Sequence, residues 1–269
     1  MPLRSVLRID DIDGALSEAL ESAADAVLLP LTDETRAVGS LRLAARAAIV
    51  RVAGAGKKPY VLVNHPRTRL LRDDLDAVVM PQLAGVFLPH CVEPQDVRDT
   101  AVVLREFEYN REMEAGSVAL FPVIDTARGL LRAAESAEAV PRVAGLVFSG
   151  EQYARDVGGR AEEAGPRLAY ARGAVVAAAR AKDGLPLVAG NQLEFRSMAQ
   201  YGFAGAIVTD ARGVALVNAA FQPSEAELER AQRYVEAYEA ARAEGAWVAR
   251  LGGEVIDAHR ARRARQLLE

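Results

Sequence analysis

Short apolar runs rich in strand-forming residues recur along the chain, and each is followed by a longer stretch whose apolar positions repeat every three or four residues. The strand-like runs fall near residues 6–9, 26–31, 60–64, 85–88, 118–124, 143–148, 187–189 and 206–209. Helical periodicity is clearest over 33–53, 94–107, 126–138, 166–182 and 224–243. Ser224 with Glu227 three residues on forms a capping box, and Pro223 blocks extension backward. Strands alternating with helices predict βαβ units and a parallel sheet. Eight such strands in 269 residues predict a closed (β/α)8 barrel over 1–245. Residues 246–269 predict an appended hairpin turning at Gly252 and Gly253, then a helix from Asp257.

Chemistry-bearing side chains sit where strands hand over to helices. The stretch SVALFPVIDTARGLLRAAESAEAVPRVAGLVFSGEQYARDVGGR, residues 117–160, places Asp125 at one such junction and Glu151 and Gln152 just past the next strand. In a parallel barrel both strand ends open on one rim, so these groups are expected to converge. Arg128 falls in the first turn after Asp125, where backbone donors and a guanidinium favour an anion. The blander roles are an N-cap acid for Asp125 and a surface ion pair for Arg128. Asn64 and His90 also end strands; Asn64 equally suits a turn before His65 and Pro66, and His90 a pairing with nearby backbone. Arg67, Arg69 and Arg72 suit a solvated face. Residues 156–165 are the most loop-like interior segment and follow a barrel strand, which predicts a loop over the site.

Composition narrows the classes. Hydrophobic residues make up 51% of the chain, but no apolar run reaches the roughly 18 to 20 residues that span a bilayer. The first residues carry acids and no secretory apolar region, so a soluble cytoplasmic protein is expected. The single cysteine, Cys91, fits a reducing compartment, and no activating triad surrounds it in the sequence. A net charge of −4 with intermixed signs argues against a nucleic-acid partner. The basic run at 259–265 reads as one face of a terminal helix. His65, His90 and His259 lie too far apart in sequence for a zinc motif, and there is no Walker loop.

In its motifs the chain resembles the HpcH/HpaI aldolase/citrate lyase superfamily, in its citrate lyase beta-subunit-like branch. IDTARG at 124–129 and SGEQYARDVG at 149–158 stand where that branch reads roughly (I/V)ETARG and GAEDLxxDLG. RSVL at 4–7, ADAVLLPLTD at 24–33, GVFLPH at 85–90, YARGAVVAAARA at 170–181, LVNAAFQPSEAELERAQRYVEA at 216–237 and GGEVIDA at 252–258 extend the match. The resemblance implies a TIM barrel and a divalent cation, Mg2+, held at Asp125 and Gln152, with Glu151 beside them. It further implies a CoA thioester or 2-oxo acid ligand near Asn64, His90 and Arg128, with Arg128 polarising an oxygen. A homo-oligomer, a trimer or a multiple of it, is implied as well, in which the tail forms a lid and Asp257 of a neighbour serves as an acid. Asp257 also fits the N-cap of the last helix, and one residue can do both.

Several positions depart from the family pattern. Asp125 replaces a Glu, and Gln152 replaces a ligating Asp. Leu62 stands where a strand Arg grips a carboxylate, and His90 stands for a Lys. Pro30, Thr32 and Asp33 replace an acidic run, and Asp210 falls near the position of a late His. The implied activity is carbon–carbon bond cleavage or formation through a metal-stabilised enolate. The alternative is a catalytically degenerate barrel acting as a binding or partner subunit.

Overall fold

The computed structural model describes residues 3–31, 38–159, 168–191 and 194–268. Thr32, Asp33 and most of the loop expected over 156–165 lie outside the described residues. The chain groups into two compact units, Leu3–Phe221 and, apart from the first two residues, Gln222–Glu269.

The first unit is a closed barrel of eight parallel strands in chain order: β1 Ser5–Arg8, β2 Ala26–Pro30, β3 Lys58–Leu62, β4 Gly85–Leu88, β5 Ala119–Ile124, β6 Gly145–Ser149, β7 Leu185–Ala189 and β8 Gly205–Val208. Val6 pairs with Ala26 on one side and Ile207 on the other, which closes the ring. Every strand is buried on two faces, so the sequence reads as continuous apolar runs. One face fills the barrel: Val6, Leu28, Tyr60, Phe87, Phe121, Val147, Leu187 and Ile207 form one cluster. Their alternates, such as Leu7, Val27, Val61 and Leu146, pack under the helices. Within the barrel, Tyr60 meets Phe87 and Phe121 edge-on at 5.4 and 5.6 Å, while the two phenylalanines stack at 5.0 Å.

The stretch 126–138, expected as one helix, is two: Ala127–Leu131 and Ala133–Glu138. Arg132 leaves helical geometry, and its N–H turns back to the Gly129 carbonyl at 3.2 Å, tightening the last turn of the first helix. The helix expected over 33–53 is described from Val38 to Gly54. Asp156 ends the helix Gly150–Asp156 instead of opening a loop.

The second unit begins at Gln222, whereas the sequence pattern places its boundary at 245; the long helix Glu225–Ala243 therefore groups with the tail. Ser224 and Glu227 form the expected capping box. The antiparallel hairpin Ala249–Leu251 and Glu254–Ile256 turns at Gly252 and Gly253, both at positive φ (58° and 86°), as a two-residue primed turn demands. Helix Ala258–Leu268 follows, and Tyr238, Ala249, Ile256 and Ala261 make a small core of this unit's own.

Candidate active site

A cavity of about 920 Å³ opens at the C-terminal ends of the strands, the end where barrel enzymes keep their sites. Its floor is apolar, from Leu28, Leu62, Phe87, Val123, Val147 and Ile207. Its polar lining comes from Arg8, Asn64, His65, His90, Asp125, Ser149, Glu151, Gln152, Asn191 and Thr209.

Asp125 follows the last residue of β5 and is 3% exposed. Thr126 caps the next helix, its hydroxyl accepting from the Gly129 N–H at 3.0 Å. A Cβ on Gly129 would lie 2.4 Å from the Cys91 carbonyl, so only glycine lets the loop after β4 press on this helix. The Cys91 N–H donates to the Val123 carbonyl and fixes that loop across the end of β5. His90, held at φ 53°, then donates to Asp125 Oδ2 twice, from its backbone N–H at 3.2 Å and from Nδ1 at 2.8 Å. The Asp125 hydrogen bond raises the His90 pKa, against burial, which lowers it. Asp125 Oδ1 is buried and has no partner among the described residues.

Glu151 and Gln152 lie in the first turn of the helix after β6 and line the same cavity. Glu151 forms an exposed ion pair with Arg155. Asn64 also lines the cavity, with its amide hydrogens committed: Nδ2 donates to the Leu31 carbonyl at 3.1 Å and to buried Asp74 at 2.8 Å. Asp74 also accepts the Asn64 backbone N–H and the Arg42 guanidinium, so Asn64 secures the top of β3.

Arg128 has a different neighbour from the one its motif position suggests. Its side chain is 64% exposed, it is not among the lining residues, and its guanidinium reaches Glu93 at 3.4 Å. The helix start at Ala127 is already met by an anion of the chain itself, the Asp156 carboxylate at 2.7 Å. Arg67 pairs with Glu93 and Asp96, and Arg72 with Glu106, which accounts for two of the three arginines after β3. Asp257 caps the last helix by accepting the Arg260 N–H at 2.8 Å, a bond that lowers its pKa.

Several polar lining residues are not among the sequence candidates: Arg8, His65, Thr68, Ser149, Asn191 and Thr209. Arg8 is an inward position on β1. His65, whose pKa burial lowers, accepts the Arg67 N–H at Nδ1 and lies 3.5 Å from Asp96 through Nε2. Asn191 and Thr209 lock the ends of β7 and β8 together, the Thr209 N–H donating to Asn191 Oδ1 at 2.8 Å. Strand parity would have found Arg8, since Val6 two residues earlier faces the barrel. The Cys91 thiol is buried among Glu93 and Ser136 and pushed up to about 12 by burial, so it is no thiolate nucleophile at neutral pH.

Among the described residues no group of three or more His, Cys, Asp or Glu side chains is gathered for a metal. No helix among them is long and apolar enough to cross a membrane.

Citrate lyase subunit beta of Escherichia coli K12 is 30% identical over 277 residues, covering 98% of this chain and 92% of that protein. A (3S)-malyl-CoA thioesterase of Cereibacter sphaeroides ATH 2.4.9 is 28% identical, covering 99% of this chain and 94% of that protein. The solved CitE protein of Mycobacterium tuberculosis in complex with magnesium, acetoacetate and coenzyme A shares the fold at a TM-score of 0.67 and 22% identity, over 99% of this chain and 96% of that one. The family model for HpcH/HpaI aldolase/citrate lyase matches residues 5–209, from the first residue of β1 to just past the last barrel strand, and the chain belongs to that family.

Proposed function

We propose that this chain makes or breaks a carbon–carbon bond beside a carbonyl group, on a CoA thioester or a 2-oxo acid, at the open end of its barrel. The observation that carries this reading is the Asp125 carboxylate, nearly wholly buried, lining the cavity, with one oxygen bound twice by His90 and the other unpartnered. An unmet buried acceptor costs about 1–3 kcal/mol, which a ligand group or cation would recover. The citrate lyase relative supports lyase chemistry, and the (3S)-malyl-CoA thioesterase relative a CoA ester as ligand.

The residues fit a divalent cation with a reduced ligand set. Asp125 Oδ1 would be the charged ligand, with the Gln152 amide oxygen, the Glu151 carboxylate and waters around it, since Mg2+ commonly rests on one or two carboxylates. When bound, such a cation supplies fixed positive charge to an enolate oxygen. His90 fixes the direction of Asp125 with two donors. Its Nε2 has no partner among the described residues and, when the ring is protonated, would donate to a ligand oxygen. Asn64 keeps its amide oxygen for a ligand donor. Arg128 serves the outer rim, where Glu93 holds it. Asp257 acts as an acid only when the tail of a neighbouring subunit covers the site, in a trimer or a multiple of one. A buried free Cys91 accords with a cytoplasmic setting.

A second reading, a non-catalytic binding or partner subunit, is favoured by Gln152 and Leu62, which replace a charged ligand and a charged clamp. Screening malyl-, citramalyl- and short 3-hydroxyacyl-CoA esters with Mg2+ decides between them. Turnover that falls at least about 100-fold in Asp125→Asn supports the enzyme. CoA esters that bind without any turnover support the second reading.

A further inference from the structure

We propose that Arg8, on the inward face of β1, is the group that takes the carboxylate of the ligand in this cavity, in place of the charge missing at Leu62. The inference deepens the reading of the barrel mouth as the reactive site and rests on it.

Strand parity sets the direction. Val6 belongs to the interior cluster of the barrel, and Leu7 and Ile9 to the layer under the helices. Arg8 therefore faces inward, one step above Val6, in register with Leu28 of β2. It lines the cavity beside an apolar floor that includes Leu28, Leu62 and Ile207. Among the described lining residues it is the only lysine or arginine. Three other described arginines on the elements around the cavity are engaged elsewhere: Arg67 and Arg128 on Glu93, and Arg155 on Glu151.

Its bonding is incomplete in a way that suits an anion. One terminal nitrogen pairs with Asp10 at 2.9 Å, and Asp10 is largely exposed. Nε is buried and has no partner among the described residues. A guanidinium offers parallel N–H donors that match both oxygens of a carboxylate, a geometry that an exposed single-point ion pair leaves unused. Arg8 on β1 and Asp125 on β5 come from well-separated strands of the ring and line one cavity. A 2-oxo acid would then place its carboxylate at Arg8 and its carbonyl oxygen by the His90 ring, which can donate to it.

The test is calorimetric titration of the full chain with pyruvate, and with methyl pyruvate as the uncharged control, at fixed Mg2+. Pyruvate affinity should fall about 10-fold or more in Arg8→Gln, with the ester unaffected. Arg8→Lys keeps the charge, loses the fork and guards against a Gln variant that does not fold; it should weaken pyruvate about 3- to 10-fold. Arg8→Gln with Leu62→Arg should regain affinity. The proposal is overturned if wild type binds no pyruvate, if a folded variant binds it as tightly as wild type, or if the ester weakens as much as the acid. Pyruvate binding that depends on Arg8 without turnover of any CoA ester would remove the lyase reading and leave this one. Turnover with a KM untouched by Arg8→Gln would do the reverse.

Discussion

His90 and Asp125 are joined twice at one oxygen: the His90 backbone N–H lies 3.2 Å and Nδ1 2.8 Å from Asp125 Oδ2. The first bond exists only because His90 adopts a left-handed backbone, which turns its N–H toward the end of β5. The pair leaves Asp125 Oδ1 buried and without a partner among the described residues.

The pairing has a pH signature. The Asp125 hydrogen bond raises the His90 pKa above the ordinary 6.5. The stabilisation is therefore fully present below the unfolded-state value and is lost as pH rises through the folded-state value. NMR titration of the His90 ring should give a midpoint above about 6.5, and Asp125→Asn should lower it. A midpoint that does not move in the variant would remove Asp125 as the cause.

Metal affinity should be weak and improvable. Gln offers a neutral carbonyl where a second carboxylate would strengthen the site, so Gln152→Asp should tighten Mg2+ or Mn2+. Asp125→Asn should abolish binding. Calorimetry that detects no cation in wild type or in Gln152→Asp would reject Asp125 Oδ1 as a ligand and leave His90 and Arg8 as the charges of the cavity.

The barrel was legible because its strands are buried on both faces and therefore stand out as apolar runs. The convergence of Asp125, Glu151 and Gln152 was legible from topology, since parallel strands end on one rim. Side-chain direction was less so. Nothing in the IDTARG motif tells that Glu93, 35 positions earlier, draws Arg128 outward. The inward direction of Arg8 is carried only by its parity with Val6, two residues earlier on β1. The break at Arg132 was invisible because its flanking residues are good helix formers.

Far from the cavity, Glu108 and Arg142 form a pair with side chains 1% and 8% exposed, and Glu108 also accepts the N–H groups of Gly116 and Val118. Removing one partner strands a buried charge, so Arg142→Met should cost on the order of 3–5 kcal/mol in urea unfolding. Burial pushes the Glu108 pKa up, but Arg142 and the two backbone donors outweigh it and hold the pKa below its ordinary value. This contribution is therefore present above the unfolded-state pKa and lost as pH falls through the folded-state one. Stability of wild type minus Arg142→Met should shrink in acid; a difference constant from pH 7 to 3 would refute the assignment.

The tail offers the last test, because its core is shared with the long helix before it. Tyr238 on helix Glu225–Ala243 packs with Ala249, Ile256 and Ala261, and the Tyr234 hydroxyl bonds Glu254 of the hairpin. Cutting after Gly245 thus removes three of the four buried residues of this small core and leaves the long helix without its partner. Hydrogen exchange across residues 225–243 should accelerate strongly in the truncated chain, and Ile256→Ala should give a milder version, costing about 2–4 kcal/mol locally. If that helix exchanges at the wild-type rate after truncation, the hairpin and last helix are passive, and Asp257 loses its claim to any site. If exchange accelerates and the sedimentation coefficient also falls, the same segment holds subunits together, as a lid exchanged between neighbours requires.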